Sequence, residues 1–160
     1  MGTINYKTSD YITIGYNLDG VVHSGEEHDD FLFWIEEDCK QIESILEKQC
    51  FNYFSINIEP GYYEGFSIDI KNNFDFLWFE NSYCFNDYNE KQRALKEATG
   101  LKALLLELVN NFGLCVVYPG WCTGYSDYKT TLKEINAATK EMKAEIKAIP
   151  TWRTLQVKGA

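Results

Sequence analysis

The chain lacks any uninterrupted apolar run approaching the roughly 20 residues a membrane-spanning helix needs, so no membrane association is expected. Residues Met1 to Tyr6 hold no basic segment followed by an apolar stretch, so a secretory signal is not expected and a cytoplasmic location follows. The five cysteines, Cys39, Cys50, Cys84, Cys115 and Cys122, include no pair at the two-residue spacing of a zinc knuckle or redox motif. Free thiols are the plain reading; a Cys115–Cys122 bridge across the loop they flank is the alternative. The two histidines, His23 and His28, stand among Glu26, Glu27, Asp29 and Asp30, a spacing that matches no ligand motif. A solvated loop leading into a helix cap is expected there, with no metal and no cofactor.

Positive charge is scarce at the front. Residues 1–90 carry 4 Lys/Arg against 18 Asp/Glu, a balance of −14, whereas residues 91–160 carry 11 against 6, a balance of +5. Such asymmetry speaks to partners or self-association more than to fold. At 160 residues, with 45% apolar and 16% aromatic content, the chain is the size of one folded domain rather than a disordered segment. No repeat or low-complexity linker divides it, so residues 1–150 are expected to form a single α+β domain and 151–160 a tail.

Tyr11 to Tyr16 alternates with β-branched residues as a strand does. From Asp29 or Asp30 to Cys50 the period is helical, with Phe31, Ile35, Ile42, Leu46 and Gln49 on one side and Trp34 and Ile45 flanking them. Asn52 to Glu59 and Tyr62 to Ile70 read as a hairpin around Pro60-Gly61. Asn72 to Asn89 is aromatic and irregular, with room for a short strand at Phe74 to Phe79. A second helix over Asn89 to Phe112 has the seam Ala94, Ala98, Leu101, Leu105, Leu108 and Phe112, with Gly113 as its stop. Leu114 to Tyr118 is a strand. Ser126 is expected to cap a third helix whose seam is Tyr128, Leu132, Ile135, Thr139, Met142 and Ile146. The order β-α-β-β-α-β predicts a ferredoxin-like antiparallel sheet with helices on one face, plus an extra C-terminal helix.

On the first helix Asp29, Glu36, Glu43 and Glu47 fall opposite the seam, with Phe33 among them and Glu36–Lys40 spaced as an i,i+4 pair. The row is either a solvated face or an acidic stripe suited to a basic, nucleic-acid-binding surface of another protein. Asp38 sits in the apolar seam, where a carboxylate needs a partner or a shifted pKa. A slight rotation of the helix or capping of a neighbouring element is one account and a catalytic acid with a raised pKa the other, and the catalytic one lacks any partner group. On the third helix Lys129, Lys133, Lys140, Lys143 and Lys147 share a flank. That flank can be a solvated side, a phosphate site, or the partner of the acidic helix within a protomer or across a homodimer. A net charge of −9 opposes direct binding of nucleic acid. Gly65 to Ile70 has the aromatics of an RNA-binding strand without its basic residues. Cys122 and Asp38 are the only nucleophile or acid suspects, and neither has a base at a recognisable spacing, so an enzyme is not expected.

Tyr118 to Tyr128 holds a proline, two glycines, Trp121 and Tyr125, and leads into the positive end of the third helix. It is either an aromatic plug on the core or a stacking platform. As a platform it would bind or sequester a nucleotide through Trp121, Tyr125, Ser126 and Lys129.

This loop, Asn5 to Gly15, Gly61-Tyr-Tyr-Glu-Gly65 and Pro150-Thr-Trp152 resemble a group of uncharacterised proteins of phages and mobile elements of Gram-positive, largely gut-dwelling bacteria. The resemblance spans most of the chain and carries no catalytic residue. It implies action in the host cell cytoplasm. Small acidic phage proteins in such settings are often inhibitors of host defence, of anti-restriction or anti-CRISPR type. The leading expectation is therefore a non-enzymatic protein that occupies the nucleic-acid-binding surface of a host defence nuclease through Asp29, Phe33, Glu36, Glu43 and Glu47.

Overall fold

The computed structural model describes residues 11–16, 26–60, 66–80, 82–118, 124–125 and 127–152. The elements run β1 (Ile12–Gly15), α1 (Glu26–Glu47), β2 (Phe54–Pro60), β3 (Phe66–Asn72), a 3-10 turn at Asp75–Leu77, β4 (Trp78–Phe79), β5 (Ser82–Tyr83), α2 (Tyr88–Phe112), β6 (Cys115–Tyr118), β7 (Gly124–Tyr125) and α3 (Tyr128–Ala148). The fold is α+β with an antiparallel sheet, in spatial order β2-β3-β1-β6-β7.

Residues directly opposite in a ladder point to the same side of the sheet. The registers Ile12↔Ile70, Ile14↔Ile68, Ile14↔Val116, Ile56↔Ile70 and Ile58↔Ile68 therefore build one isoleucine-rich side. That side joins Ile35 and Ile42 of α1, the Ala94/Ala98/Leu101/Leu105/Leu108 seam of α2, and Ile135, Met142 and Ile146 of α3 in one core. Fully burying each such isoleucine contributes about 1.5–3 kcal/mol relative to exposure. On the opposite side Thr13 faces Asp69; both are buried, and the Thr13 hydroxyl donates to Asp69 Oδ1 at 2.7 Å.

The helix ends follow from identifiable chemistry. Asp87 accepts from the Glu90 N–H at 2.8 Å, and Glu90 accepts from the Asn86 N–H at 2.9 Å, a reciprocal cap at the start of α2. Gly113 ends α2 with φ +66°, the left-handed region that favours glycine. Asp127, rather than Ser126, caps α3 by accepting from the Thr130 N–H at 2.7 Å. A carboxylate one position nearer the helix meets the free amide more directly than the expected serine. Tyr128 also departs from the expected seam: it is exposed, and its hydroxyl donates to Asn110 Oδ1 at 2.7 Å. Thr131 and Ala138 are buried beside the seam. Trp34 on α1 and Gln49 beyond its end lie exposed; among the described side chains of α1, Ile35 and Ile42 are buried and Ile45 and Leu46 half-buried, and the side chain of Phe31 lies outside the described ones.

The aromatic stretch expected to be irregular becomes a 3-10 turn and a two-residue hairpin, β4 with β5. Its rings interlock edge to face, as Phe54–Phe74 at 5.7 Å, Phe74–Tyr83 at 6.2 Å and Trp78–Tyr83 at 5.0 Å. Phe85 then bridges Thr151, with Phe85 N–H to Pro150 O at 2.9 Å and Trp152 N–H to Phe85 O at 2.7 Å. The start of the expected tail is thus fastened to the domain; residues 153–160 lie outside the described residues, as do the 61–65 motif and the 119–123 loop.

Lys91 completes that fastening. Its Nζ donates to the carbonyls of Lys147 at 2.9 Å and Ile149 at 2.7 Å, serving the last turn of α3 from the first turns of α2. Replacing Lys91 with Met keeps the aliphatic stem and removes both bonds, and should cost about 1–3 kcal/mol because the donor is charged. A thermal melt should show a Tm lowered by several degrees, with far-ultraviolet dichroism unchanged below the transition.

Candidate functional site

The first helix places Phe33, Glu36, Lys40, Glu43 and Glu47 on one stripe, spaced three, four, three and four. It lies opposite the buried Ile35 and Ile42. Phe33 is 59% exposed and Trp34 64% exposed. Glu36, Glu43 and Glu47 are exposed as well. Phe33 stands in line with this row of carboxylates, whereas Trp34, about 100° further round the helix, is exposed on the other flank beside positions 37 and 38. Glu36 and Glu47 are separated by about 16 Å along the axis at 1.5 Å per residue. Asp29 lies in the first turns of the same helix; its side chain is outside the described ones.

Two features of the stripe were not expected. Lys40 pairs with Glu37 at 3.6 Å, not with Glu36. Such an exposed i,i+3 pair adds little stability. The Cys39 thiol donates to Glu43 Oε1 at 3.6 Å, and burial together with that carboxylate pushes the thiol pKa up. Cys39 is a weak nucleophile for this reason.

Asp38, the seam carboxylate, is half-buried and accepts a hydrogen bond from the Tyr16 hydroxyl. Burial, then the bond to Asp38 and its charge, drive the Tyr16 pKa well above its ordinary value. The pair ties the end of β1 to the middle of α1. This favours the structural account of Asp38 over the catalytic one.

The alternative ligand site is not assembled among the described residues. Trp121 and Ser126 lie outside them; Tyr125 is placed in β7 opposite Val117, without a described side chain. Lys129 is exposed in the first turn of α3. The Asp127 carboxylate already serves that N-terminus, and its pKa is lowered by the Thr130 N–H and hydroxyl. An anion would have to share the helix end with this negative group.

Lys133, Lys140 and Lys147 are exposed and Lys143 is half-buried. Among the described residues no ion pair joins them to the acids of α1; the opposite-sign helix faces do not neutralise each other through contact. His23 lies outside the described residues, as does the His28 side chain; among the described residues no cluster of His, Cys, Asp or Glu is arranged to hold a metal. No described helix is long and apolar enough to cross a membrane.

Sequence reasoning missed an open groove of about 440 Å³ lined by Phe51, Asn52, Tyr53, Asn73, Phe76, Glu90 and Arg93. Phe76 is exposed and meets Tyr53 at 5.6 Å between ring centroids. The only hint in the sequence is the aromatic density of residues 51–54 and 74–79, which does not reveal that α2 closes over them. At its back, Glu97 accepts from the N–H groups of Tyr53 at 2.8 Å and Phe54 at 3.3 Å. Comparison with protein-family models, curated proteins and solved structures finds no match to this chain.

Burial raises the Glu97 pKa, against the lowering effect of its backbone hydrogen bonds. A carboxyl whose folded-state pKa is raised contributes stability that is full below the unfolded pKa and lost as pH rises through the folded one. Glu97→Gln keeps the acceptor and removes the charge. Urea unfolding at pH 4 and pH 8 should therefore show the stability difference between variant and wild type moving in the variant's favour at pH 8. A pH-independent difference would show that Glu97 ionisation is not linked to folding.

Proposed function

We propose that this chain is a non-enzymatic binding protein that presents the acidic face of α1 to a basic, nucleic-acid-binding surface of another protein. The observation that carries the reading is the exposure of Phe33 in line with Glu36, Glu43 and Glu47 on one stripe of the helix. Carboxylates at helical spacing offer a basic surface a substitute for phosphates, and exposed aromatics supply the desolvated anchor that interface energetics favour. The phage-like resemblance makes the partner a bacterial defence nuclease and the activity inhibitory, in the host cytoplasm. The ferredoxin-like assignment belongs to the same reading; the order β2-β3-β1-β6, antiparallel at each pairing, supports it.

A panel of CRISPR nucleases and restriction endonucleases from Gram-positive bacteria, assayed for DNA cleavage with this protein titrated in, tests the proposal. Inhibition of one member should weaken steeply between low and moderate salt. Charge reversal at Glu36, Glu43 and Glu47 should abolish it, and Phe33→Ala should weaken it about tenfold or more, as loss of an aromatic anchor does. Undiminished inhibition by the triple variant would sink the electrostatic mechanism.

The groove beside Tyr53 supports a second reading, a small planar ligand such as a nucleotide. Its volume lies in the range of small-ligand sites, and Phe76, Arg93 and the two asparagines offer a stacking face and polar groups. Nucleotide binding there should raise the Tm in a thermal-shift panel and lose that rise in Arg93→Ala. A flat panel removes this reading.

A further inference from the structure

The sheet has one long edge. At one end of the order stands β2, seven residues from Phe54 to Pro60; at the other stands β7, only two residues. A long unpaired edge is a template for another strand, and natural proteins usually blunt it with lysine, bulges or cover. Ser55-Ile56-Asn57-Ile58 contains no charge at all.

The direction of its backbone groups can be worked out. The Asn73 N–H donates to Tyr53 O at 2.9 Å, which continues the register Phe54↔Asn72 by one step. Because antiparallel pairs alternate, Ser55, Asn57 and Glu59 turn their backbone groups to β3, while Phe54, Ile56 and Ile58 turn theirs outward. Two independent details agree. The Phe54 N–H bonds to Glu97, off the ladder. Pro60, which has no N–H to give, falls on the outward set, where a strand tolerates proline. Among the described residues nothing takes the outward N–H and C=O of Ile56 and Ile58.

We propose that this edge is where a second copy of the chain docks, β2 against β2 and antiparallel about a two-fold axis through Asn57. The short sequence is symmetric about that residue: Ile56 falls opposite the partner's Ile58, Asn57 opposite itself, and Ser55 opposite the partner's Glu59. Four backbone hydrogen bonds form, two for each Ile56–Ile58 pair, using every outward group of these residues. Glu59 meets a serine rather than another acid, so the −9 chains bring no like charges into direct opposition along the paired strands. Ile56 and Ile58 are only half-buried in the single chain although they pack on its core; the added strand covers what is left. Glu97 and Pro60 close the two ends of the edge, which confines pairing to this register.

Light scattering after size exclusion and sedimentation at rising concentration should show a monomer–dimer equilibrium for the wild-type chain. Asn57→Lys sets two ammonium groups directly opposite each other at an exposed position; it should raise the dimer Kd at least tenfold with an unchanged Tm. Asn57→Cys, incubated with oxidised glutathione as electron acceptor, should form a disulfide-linked dimer, because directly opposed non-hydrogen-bonded residues sit about 4.5 Å apart between Cα atoms. Ser55→Cys, which faces the partner's Glu59, should not exceed the wild-type background from the native cysteines. A chain that stays monomeric at sub-millimolar concentration overturns the proposal. So does a dimer that survives Asn57→Lys, or Ser55→Cys that links as readily as Asn57→Cys.

Discussion

Four residues of β1, Ile12–Gly15, pair with β3 on one side and β6 on the other, and that double pairing sets the centre of the sheet β2-β3-β1-β6-β7. Ile12 and Ile14 face the helices' core; Thr13 lies on the reverse side, buried, with its hydroxyl on Asp69. A one-residue slip of β1 against β3 would turn both isoleucines out of the core and leave Asp69 without this donor. Losing a hydrogen bond between two buried groups is costly, so the polar bond and the apolar side reject the same alternatives. The register of the centre is therefore specified twice, by independent chemistry on its two sides.

From this centre the outer elements are tied by polar contacts between distant parts of the chain. Tyr16, just past β1, holds α1 through Asp38. Tyr11, just before it, donates to Glu145 of α3. Glu97 of α2 accepts from the backbone at the start of β2, and Lys91 donates to the carbonyls at the end of α3. Each joins a residue at an element boundary to the middle or end of another. Hydrophobic burial gathers these elements, but it does not by itself choose how far each one slides; the tyrosine–carboxylate and lysine–carbonyl bonds select among packings of similar apolar area.

What could be read from the residues divides along the same line. The α2 seam, the glycine stop at Gly113 and the strand alternation of β1, β3 and β6 are local patterns, and local physics writes them into adjacent positions. Asp38 was recognisable as misplaced, yet its partner Tyr16 stands 22 positions away and no spacing rule reaches it. Ser126 and Asp127 are both good caps, and only the path of the chain entering α3 decides between them. Trp34 reads as a flanking core residue because a helical wheel assumes a wide apolar stripe; among the described side chains of α1 only Ile35 and Ile42 are buried, and the indole is left in water. The groove by Tyr53 and Arg93 depends on α2 crossing the start of β2, a tertiary fact with no local trace.

The charge split is best understood through this arrangement. Acidic residues early in the chain and basic ones late would be a trivial consequence of folding if α1 and α3 met as partners. Their described side chains do not. Among the described side chains of α1 and α3, the one ion pair is that of Lys40 with Glu37. A fold held together by apolar contact and a few long-range polar bonds has no need of that separation for its stability, because exposed charges of either sign contribute little. Uncompensated charge does raise the encounter rate with an oppositely charged surface and penalise a like-charged one. On α1 it flanks Phe33, an aromatic group whose exposure to water gains nothing for the isolated domain. The two features coincide on one helix face, and a partner surface that is basic and apolar is the environment in which both become favourable.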